Sequence, residues 1–430
     1  MDTAHRFVVG IVVGVSVLGR ATDAFAGSWS PEVTIFPQQP DLAINAFALN
    51  EAGNEAWVTA TQATSLSVTV TAAQRTFGGT WSSSATTIAS VHANSLPVAV
   101  SLSADDHAVA TWEDVITLRS PNGVWQAPVS LGLTGSVSNF QAKLDAQGNG
   151  VAVWGLLTDT NSLVEAVTFT AAGALGSMTQ LSPSSHGAFA PQLAVNDAGT
   201  AVVVWLASPP RDNADPYQVE SATRPAGGSW SAVTTVSPNV PQTWAAAVAL
   251  DAAGDATATW TAGATPSTKL YAATRPAGGA WGSPTRIEPS DWNNLSQSSM
   301  AADDAGDVTV SWVGQDTTGQ NNVRTATRSG GAWGAPTTLG QCKFTNSSCL
   351  VQVSAARDGS ITVVGWGGVS STANNVAVRL ASGAWAPMVV GTNSPQLKFV
   401  LATNNAHASV VWTAAIGVKY KVDLRQSDFR

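Results

Sequence analysis

Short apolar runs broken by turn residues recur along the whole chain, and the clearest copy reads as four strands in succession. Gln192 to Asn196 alternates apolar and polar positions, the period of a half-buried strand. Asp197-Ala198-Gly199 follows as a tight turn, where glycine tolerates positive φ. Ala201 to Trp205 is a continuous β-branched run, as expected of a strand buried on both faces. Val219 to Thr223 predicts a third strand, Pro225-Ala226-Gly227-Gly228 turns the chain, and Trp230 to Val236 predicts a fourth. After residue 19 the chain shows no helical period.

The same unit fills the chain. Trp57, Trp112, Trp154, Trp205, Trp260, Trp312, Trp366 and Trp412 each end its second run, at separations of 55, 42, 51, 55, 52, 54 and 46 residues. A second tryptophan position, in a GGxW-like turn, holds Trp29, Trp81, Trp125, Trp230, Trp281, Trp333 and Trp385, with Leu175 standing in once. These two positions absorb fifteen of the 17 tryptophans, and packing between units accounts for them: each buried indole removes about 150–250 Å² from water. A period of about 50 residues built from four short antiparallel strands predicts an all-β, eight-bladed β-propeller. Seven blades is the alternative if the short unit between Trp112 and Trp154 is absorbed irregularly. The last unit supplies strands around Gln396 to Leu401, Ser409 to Trp412 and Val418 to Leu424, then lacks its GxW strand. Gly27-Ser28-Trp29 carries that element near the other end, so Trp29 to Phe36 is expected to complete the eighth blade and close the ring, removing exposed sheet edges.

Composition sets the compartment. Arg6, the apolar stretch Phe7 to Gly19 and Ala24-Phe25-Ala26 read as a secretory signal peptide over 1–26, leaving 27–430 as a single propeller domain. Thirteen apolar residues are too few to cross a bilayer core of about 30 Å as a helix. The expected product is a secreted or periplasmic monomer with no membrane insertion. Its net charge of −8, without a basic run, argues against nucleic acid. Cys342 and Cys349, seven apart, read as a disulfide in an oxidising compartment.

The turns divide the molecule into two faces. Hairpins such as LDAAGDA and RPAGGSW are nearly uniform in length, whereas the connections at the opposite end vary widely, and variable loops on a rigid scaffold are where binding residues tend to lie. Trp244 and Trp292, the two tryptophans outside the template, fall on that variable face. Asp291 and Asn293 flank Trp292, and Arg211 and Tyr217 occupy the long loop SPPRDNADPYQ. Indole faces suit sugar rings and the polar neighbours suit hydroxyls, so these six are the candidate ligand-binding residues. His92 and His186 lie on the same face, while His107 and His407 sit beside the uniform hairpins.

Asp251 with Asp255, and Asp303, Asp304 and Asp307, crowd two hairpin turns. Side-chain to backbone bonding explains them better than calcium, which wants six or more oxygens, and neither a metal nor another cofactor is expected. HExxH, GxSxG and CxxC are absent from the sequence. Asp114, Asp159, Asp212, Asp215, Glu288, Asp291 and Asp316 all reach the variable face, but spacing alone pairs none of them for glycoside hydrolysis.

The turn units NDAGTAVVVW, LDAAGDATATW and DDAGDVTVSW resemble those of secreted bacterial β-propellers with sialidase-like repeats, over the whole chain after residue 26. That resemblance implies a glycan-related role and, for a sialidase, an arginine triad with a Tyr/Glu pair. Arg211, Arg286 and Arg324 lie toward the variable face, and the tyrosines are Tyr217, Tyr271 and Tyr420. Arg75, Arg119, Arg224, Arg275 and Arg379 stand six residues before a template tryptophan, and Arg328 five. A recurring Arg near an aromatic resembles fucose-binding propeller lectins, although stacking or capping over the indole is the simpler role. The expected function is non-catalytic recognition of a glycan or extracellular protein. A glycoside hydrolase- or sialidase-like enzyme and a structural envelope or matrix component are the alternatives.

Overall fold

The structure is a computed structural model that describes residues 33–40, 46–64, 67–76, 79–82, 86–91, 98–208, 218–238, 242–263, 268–288, 293–342, 349–368, 373–381, 383–392, 399–403, 408–415 and 421–429. They form seven antiparallel sheets of four strands and one of five, with no helix among the described residues. The sheets are numbered here by their innermost strands: Ala46–Leu49 (sheet 1), Val98–Leu102 (sheet 2), Ser136–Leu144 (sheet 3), Ala188–Val195 (sheet 4), Trp244–Leu250 (sheet 5), Asn293–Ala302 (sheet 6), Cys349–Ala355 (sheet 7) and Phe399–Thr403 (sheet 8).

Within a sheet, strands follow chain order from inside outward. In sheet 4 these are Ala188–Val195, Ala201–Ala207, Gln218–Arg224 and Thr234–Thr235. Sheet 8 departs from this rule: its strands Phe399–Thr403, Ala408–Ala415 and Lys421–Phe429 are joined on the outside by Val33–Pro40, paired antiparallel to Lys421–Phe429. Each innermost strand packs on that of the next sheet, and Phe399–Thr403 packs on both Cys349–Ala355 and Ala46–Leu49.

The second strands form the core, as their apolar runs require. Every residue of Ala201–Ala207 and Ala256–Ala262 is buried. The template indoles Trp112, Trp154, Trp205, Trp260 and Trp312 are 1% exposed or less. Each lies among apolar side chains of neighbouring sheets; Trp205, for example, shares a cluster with Val151, Val153 and Val164 of sheet 3. Among the described residues, the second tryptophan set is only half-buried. It sits at the rim, where arginines cover it: the Arg75 guanidinium lies 5.6 Å from the Trp81 ring and that of Arg379 5.2 Å from the Trp385 ring. Leu175 takes the tryptophan's place by pairing with Phe169, as Trp125 pairs with Arg119.

The fourth strand is shorter than the sequence predicts. In sheet 4, Trp230 falls outside it, because after the Pro225 turn the backbone touches the third strand only at Ser231 N–H to Thr223 O (2.8 Å) before pairing again at Thr234–Thr235. The disulfide Cys342–Cys349 is formed, with Cα atoms 6.2 Å apart. It ties the outer strand Thr337–Gln341 of sheet 6 to the innermost strand of sheet 7.

Candidate functional site

On the variable face, between sheets 3 and 4, lies a cleft of about 490 Å³. One wall is the turn Thr158–Asn161, which joins the second and third strands of sheet 3. The other is the connection 181–187 leading into sheet 4, with Phe189 and Ser208 behind it. Thr158 Oγ1 accepts the Asn161 N–H (3.1 Å), and Asn161 Nδ2 donates to Ser184 O across the cleft (2.9 Å), so the two walls are fixed to each other. Two apolar side chains stand exposed among the polar ones, Leu157 at 55% and Phe189 at 38%.

The backbone explains why a core strand shows its phenylalanine to solvent. The innermost strand of sheet 4 loses register between Phe189 and Gln192, where Ala190 and Pro191 bulge and Ala190 takes φ 49°. Bulges re-aim side chains and concentrate near functional sites. Gly187 completes the arrangement: a Cβ there would come within 2.9 Å of both Phe189 Cζ and Ser208 Oγ, so glycine gives the ring its place. Sheet 5 repeats the device. Trp244 precedes a bulge over Ala245 and Ala246, with Ala245 at φ 51° and the indole 47% exposed. In register, Trp244 is the sheet 5 counterpart of Phe189, since each stands just before its bulge.

A hydrogen-bonded chain enters the cleft wall from the core. His186 Nε2 lies 3.1 Å from Glu220 Oε2, and Ser185 Oγ lies 3.2 Å from His186 Nδ1. The Glu220 side chain is 6% exposed; it also accepts the Trp205 indole N–H (3.1 Å) and the Gln218 amide (3.0 Å). The imidazole thus bridges the two groups, with Nε2 toward the Glu220 carboxyl and Nδ1 toward the Ser185 hydroxyl. Ser185 itself is exposed.

Of the six candidate residues, Trp244 is described with its side chain, and Asn293 opens the innermost strand of sheet 6 through its backbone alone. Arg211, Tyr217, Asp291 and Trp292 lie outside the described residues, as do Asp212, Asp215, His92, His407 and Tyr420. Phe189, Leu157, Ser185 and Glu220 were not singled out from the sequence. Pro191, immediately before the strand expected at Gln192 to Asn196, was the available signal for the bulge.

Asp159 lines the cleft, and several of the remaining candidates have structural employment. Asp114 accepts from Ser130 Oγ (2.6 Å), and Asp316 caps its own turn, its carboxyl held below the usual range chiefly by the Thr318 hydroxyl. Glu288, fully buried, receives Arg324 through both oxygens (2.9 and 2.8 Å), while Arg286 Nε donates to Glu288 O. Tyr271 stacks on Trp260 at 6.2 Å. Asp251 Oδ1 accepts the Asp255 N–H and Asp303 Oδ1 accepts the Asp307 N–H, the turn bonding expected of those carboxylates.

Fold and site together describe an all-β, propeller-like protein with a polar cleft and exposed aromatics on the face of its variable loops. No family model matches the chain, and no curated protein does. Among solved structures, the chain is similar to a PL25 ulvan lyase bound to -[GlcA(1-4)Rha3S]-, at 9% identity over 84% of this chain and 96% of that one, TM-score 0.51. It also matches the Hadza microbial sialidase Hz136 (10% identity, 75% of this chain, 73% of that one, TM-score 0.39) and a GH93 α-L-arabinofuranosidase of Fusarium graminearum (13%, 67% and 92%, TM-score 0.40). At 9% identity the likeness to the ulvan lyase is one of fold.

Proposed function

We propose that this chain is an exported eight-bladed β-propeller that recognises a glycan through the cleft between its third and fourth blades. The cleft carries the reading: Phe189 and Leu157 offer apolar faces for a sugar ring, while Asp159, Asn161, Ser184, Ser185 and Ser208 surround them with hydroxyl-bonding groups. Trp244, Trp292, Asp291, Asn293, Tyr217 and Arg211 would extend the binding face across the neighbouring blades. Two observations support a closed ring of eight with Val33–Pro40 as its last strand: the pairing of that strand with Lys421–Phe429, and the unbroken succession of innermost-strand contacts. The disulfide supports export, because such bonds persist in oxidising compartments. In this reading, 1–26 is the signal and the rest is one domain acting as a monomer. It has no affinity for nucleic acid and does not insert into membranes.

Glycan arrays followed by calorimetry on the best hit provide the test. Phe189→Ala is expected to weaken binding by about 0.5–1.5 kcal/mol, the scale of a single aromatic contact. Unchanged affinity in both Phe189→Ala and Trp244→Ala would remove this reading.

A further inference from the structure

We propose that the same cleft is a hydrolytic site for acyl esters, in which Ser185 is the nucleophile, His186 the general base and Glu220 the residue that positions the imidazole. That the alcohol portion is a sugar hydroxyl rests on the glycan reading; the acyl chemistry does not. The connectivity is that of an activated serine: hydroxyl to imidazole at 3.2 Å, imidazole to a buried carboxylate at 3.1 Å, and the hydroxyl open to the cleft.

The repeat supplies an internal control. In sheet 3 the equivalent pair, Trp154 and Glu165, bond at 3.2 Å, and among the described residues neither histidine nor serine bonds Glu165. Trp112 and Trp312 have no acceptor for the indole N–H among the described residues, so the template tryptophan does not require a carboxylate. The tryptophan–glutamate contact is thus shared by sheets 3 and 4; what distinguishes Glu220 is that it also bonds His186. Among the described residues, no recorded backbone bond uses the His186 or Gly187 N–H, which leaves both available to an oxyanion beside Ser185.

The step balances without a co-reactant other than water. Ser185 Oγ bonds to the ester carbonyl carbon as its proton passes to His186 Nδ1. The carbon–alkoxy bond then breaks, the alcohol leaves with that proton, and Ser185 keeps the acyl group. Water, deprotonated by the same nitrogen, releases the acid and restores the hydroxyl.

The full exported chain is treated with a fluorophosphonate probe and assayed with 4-methylumbelliferyl acetate. Expected are a label on Ser185 by peptide mass spectrometry, loss of label and turnover in Ser185→Ala, and at least a ~100-fold fall in kcat in His186→Gln. Glu220→Gln should lower kcat with KM unchanged, while Glu165→Gln leaves kcat unaltered. Circular dichroism melts confirm that each variant is folded. Absence of label on Ser185 in the folded protein, or turnover that survives Ser185→Ala, overturns the proposal. Glycan affinity and labelling measured together on the native protein separate the two readings: binding without labelling removes the esterase alone, and labelling without binding removes the glycan alone.

Discussion

Asn50, Asp145, Asn196, Asp251 and Asp303 do one job five times. Each opens a hairpin and accepts, through a side-chain oxygen, the N–H four residues on, at 2.8–3.0 Å. Their other atoms reach the next sheet: Asn196 Nδ2 donates to Asp251 O (3.1 Å), and Asp251 Oδ2 fills the space above Gly306. A Cβ on Gly306 would meet that oxygen at 2.7 Å with φ at +84°, whereas Gly278, at φ +68°, has nothing within 4 Å. Gly306→Ala is thus expected to lose more stability than Gly278→Ala in urea titration, by about 1–3 kcal/mol; equal losses would show that the interlock adds nothing. The turn was legible in the Asp-Ala-Gly pattern. Its contact with the next hairpin was not, because it spans about one repeat. Lys143 is the one charged residue in the eight innermost strands, and among the described residues no partner bonds its ammonium. It meets water between those strands, yet the surrounding walls hold its pKa below the usual lysine range. Between the folded and unfolded pKa values the unfolded chain binds more protons, so stability climbs with pH in that window and the cost is present in full below the folded value. Lys143→Met should raise Tm at pH 7, and a fall would contradict the desolvation argument.

Strands were readable from the sequence where they are buried and less so where they are not. The starts of the apolar second strands were found almost to the residue because burial on both faces leaves an uninterrupted signal, but in sheets 4 and 8 the strands run two to three residues past the template tryptophan, to Ala207 and Ala415. The outer strands were overextended at Trp230, since the turn residues fix where the chain reverses but not how long it stays paired. Nor was the pairing of His186 with Glu220 visible, because only register brings residues 34 apart in sequence together. The disulfide was legible because the spacing of the two cysteines suited the compartment expected from the sequence. Replacing both Cys342 and Cys349 by Ser is expected to cost about 2.5 kcal/mol from the freed loop, seen as a lower urea midpoint that reduction of the native protein reproduces. Val33–Pro40 has a larger task, since without it Lys421–Phe429 becomes a bare edge. Deleting residues 27–40 should give an insoluble or molten product, judged by loss of near-ultraviolet dichroism; a well-ordered deletion variant would refute a closing role for this strand.

At the scale of the whole molecule, one guanidinium gathers hairpins from four sheets. Arg357, of sheet 7, pairs with Asp197 of sheet 4, with Asp304 of sheet 6 at 3.2 Å and with Glu51 of sheet 1 at 3.8 Å. Burial raises the Glu51 pKa; Arg357 opposes that rise, and Asp304 and Asp197 add to it. A raised carboxyl pKa contributes stability below the unfolded value of 4.5 that is lost as pH climbs through the folded value. Arg357→Met leaves the carboxylates facing one another, so it should cost about 1–2 kcal/mol at neutral pH, discounted for the solvent that reaches the cluster. That loss should shrink in acid as the carboxylates protonate; a pH-independent loss would mean that packing rather than charge is what Arg357 supplies. None of this convergence was readable in advance, because a repeat shows which hairpins are equivalent but not how far their tips reach toward one another. The sheet shared by the two ends of the chain has a further consequence for genetic rearrangement. With Val33–Pro40 lying beside Lys421–Phe429, the backbone's starting point is interchangeable in principle. Joining the old ends with a short linker and cutting instead at the exposed turn Gly330-Gly331 would keep every strand pairing and merely relocate the seam, so a circular permutant of this kind should fold and melt cooperatively.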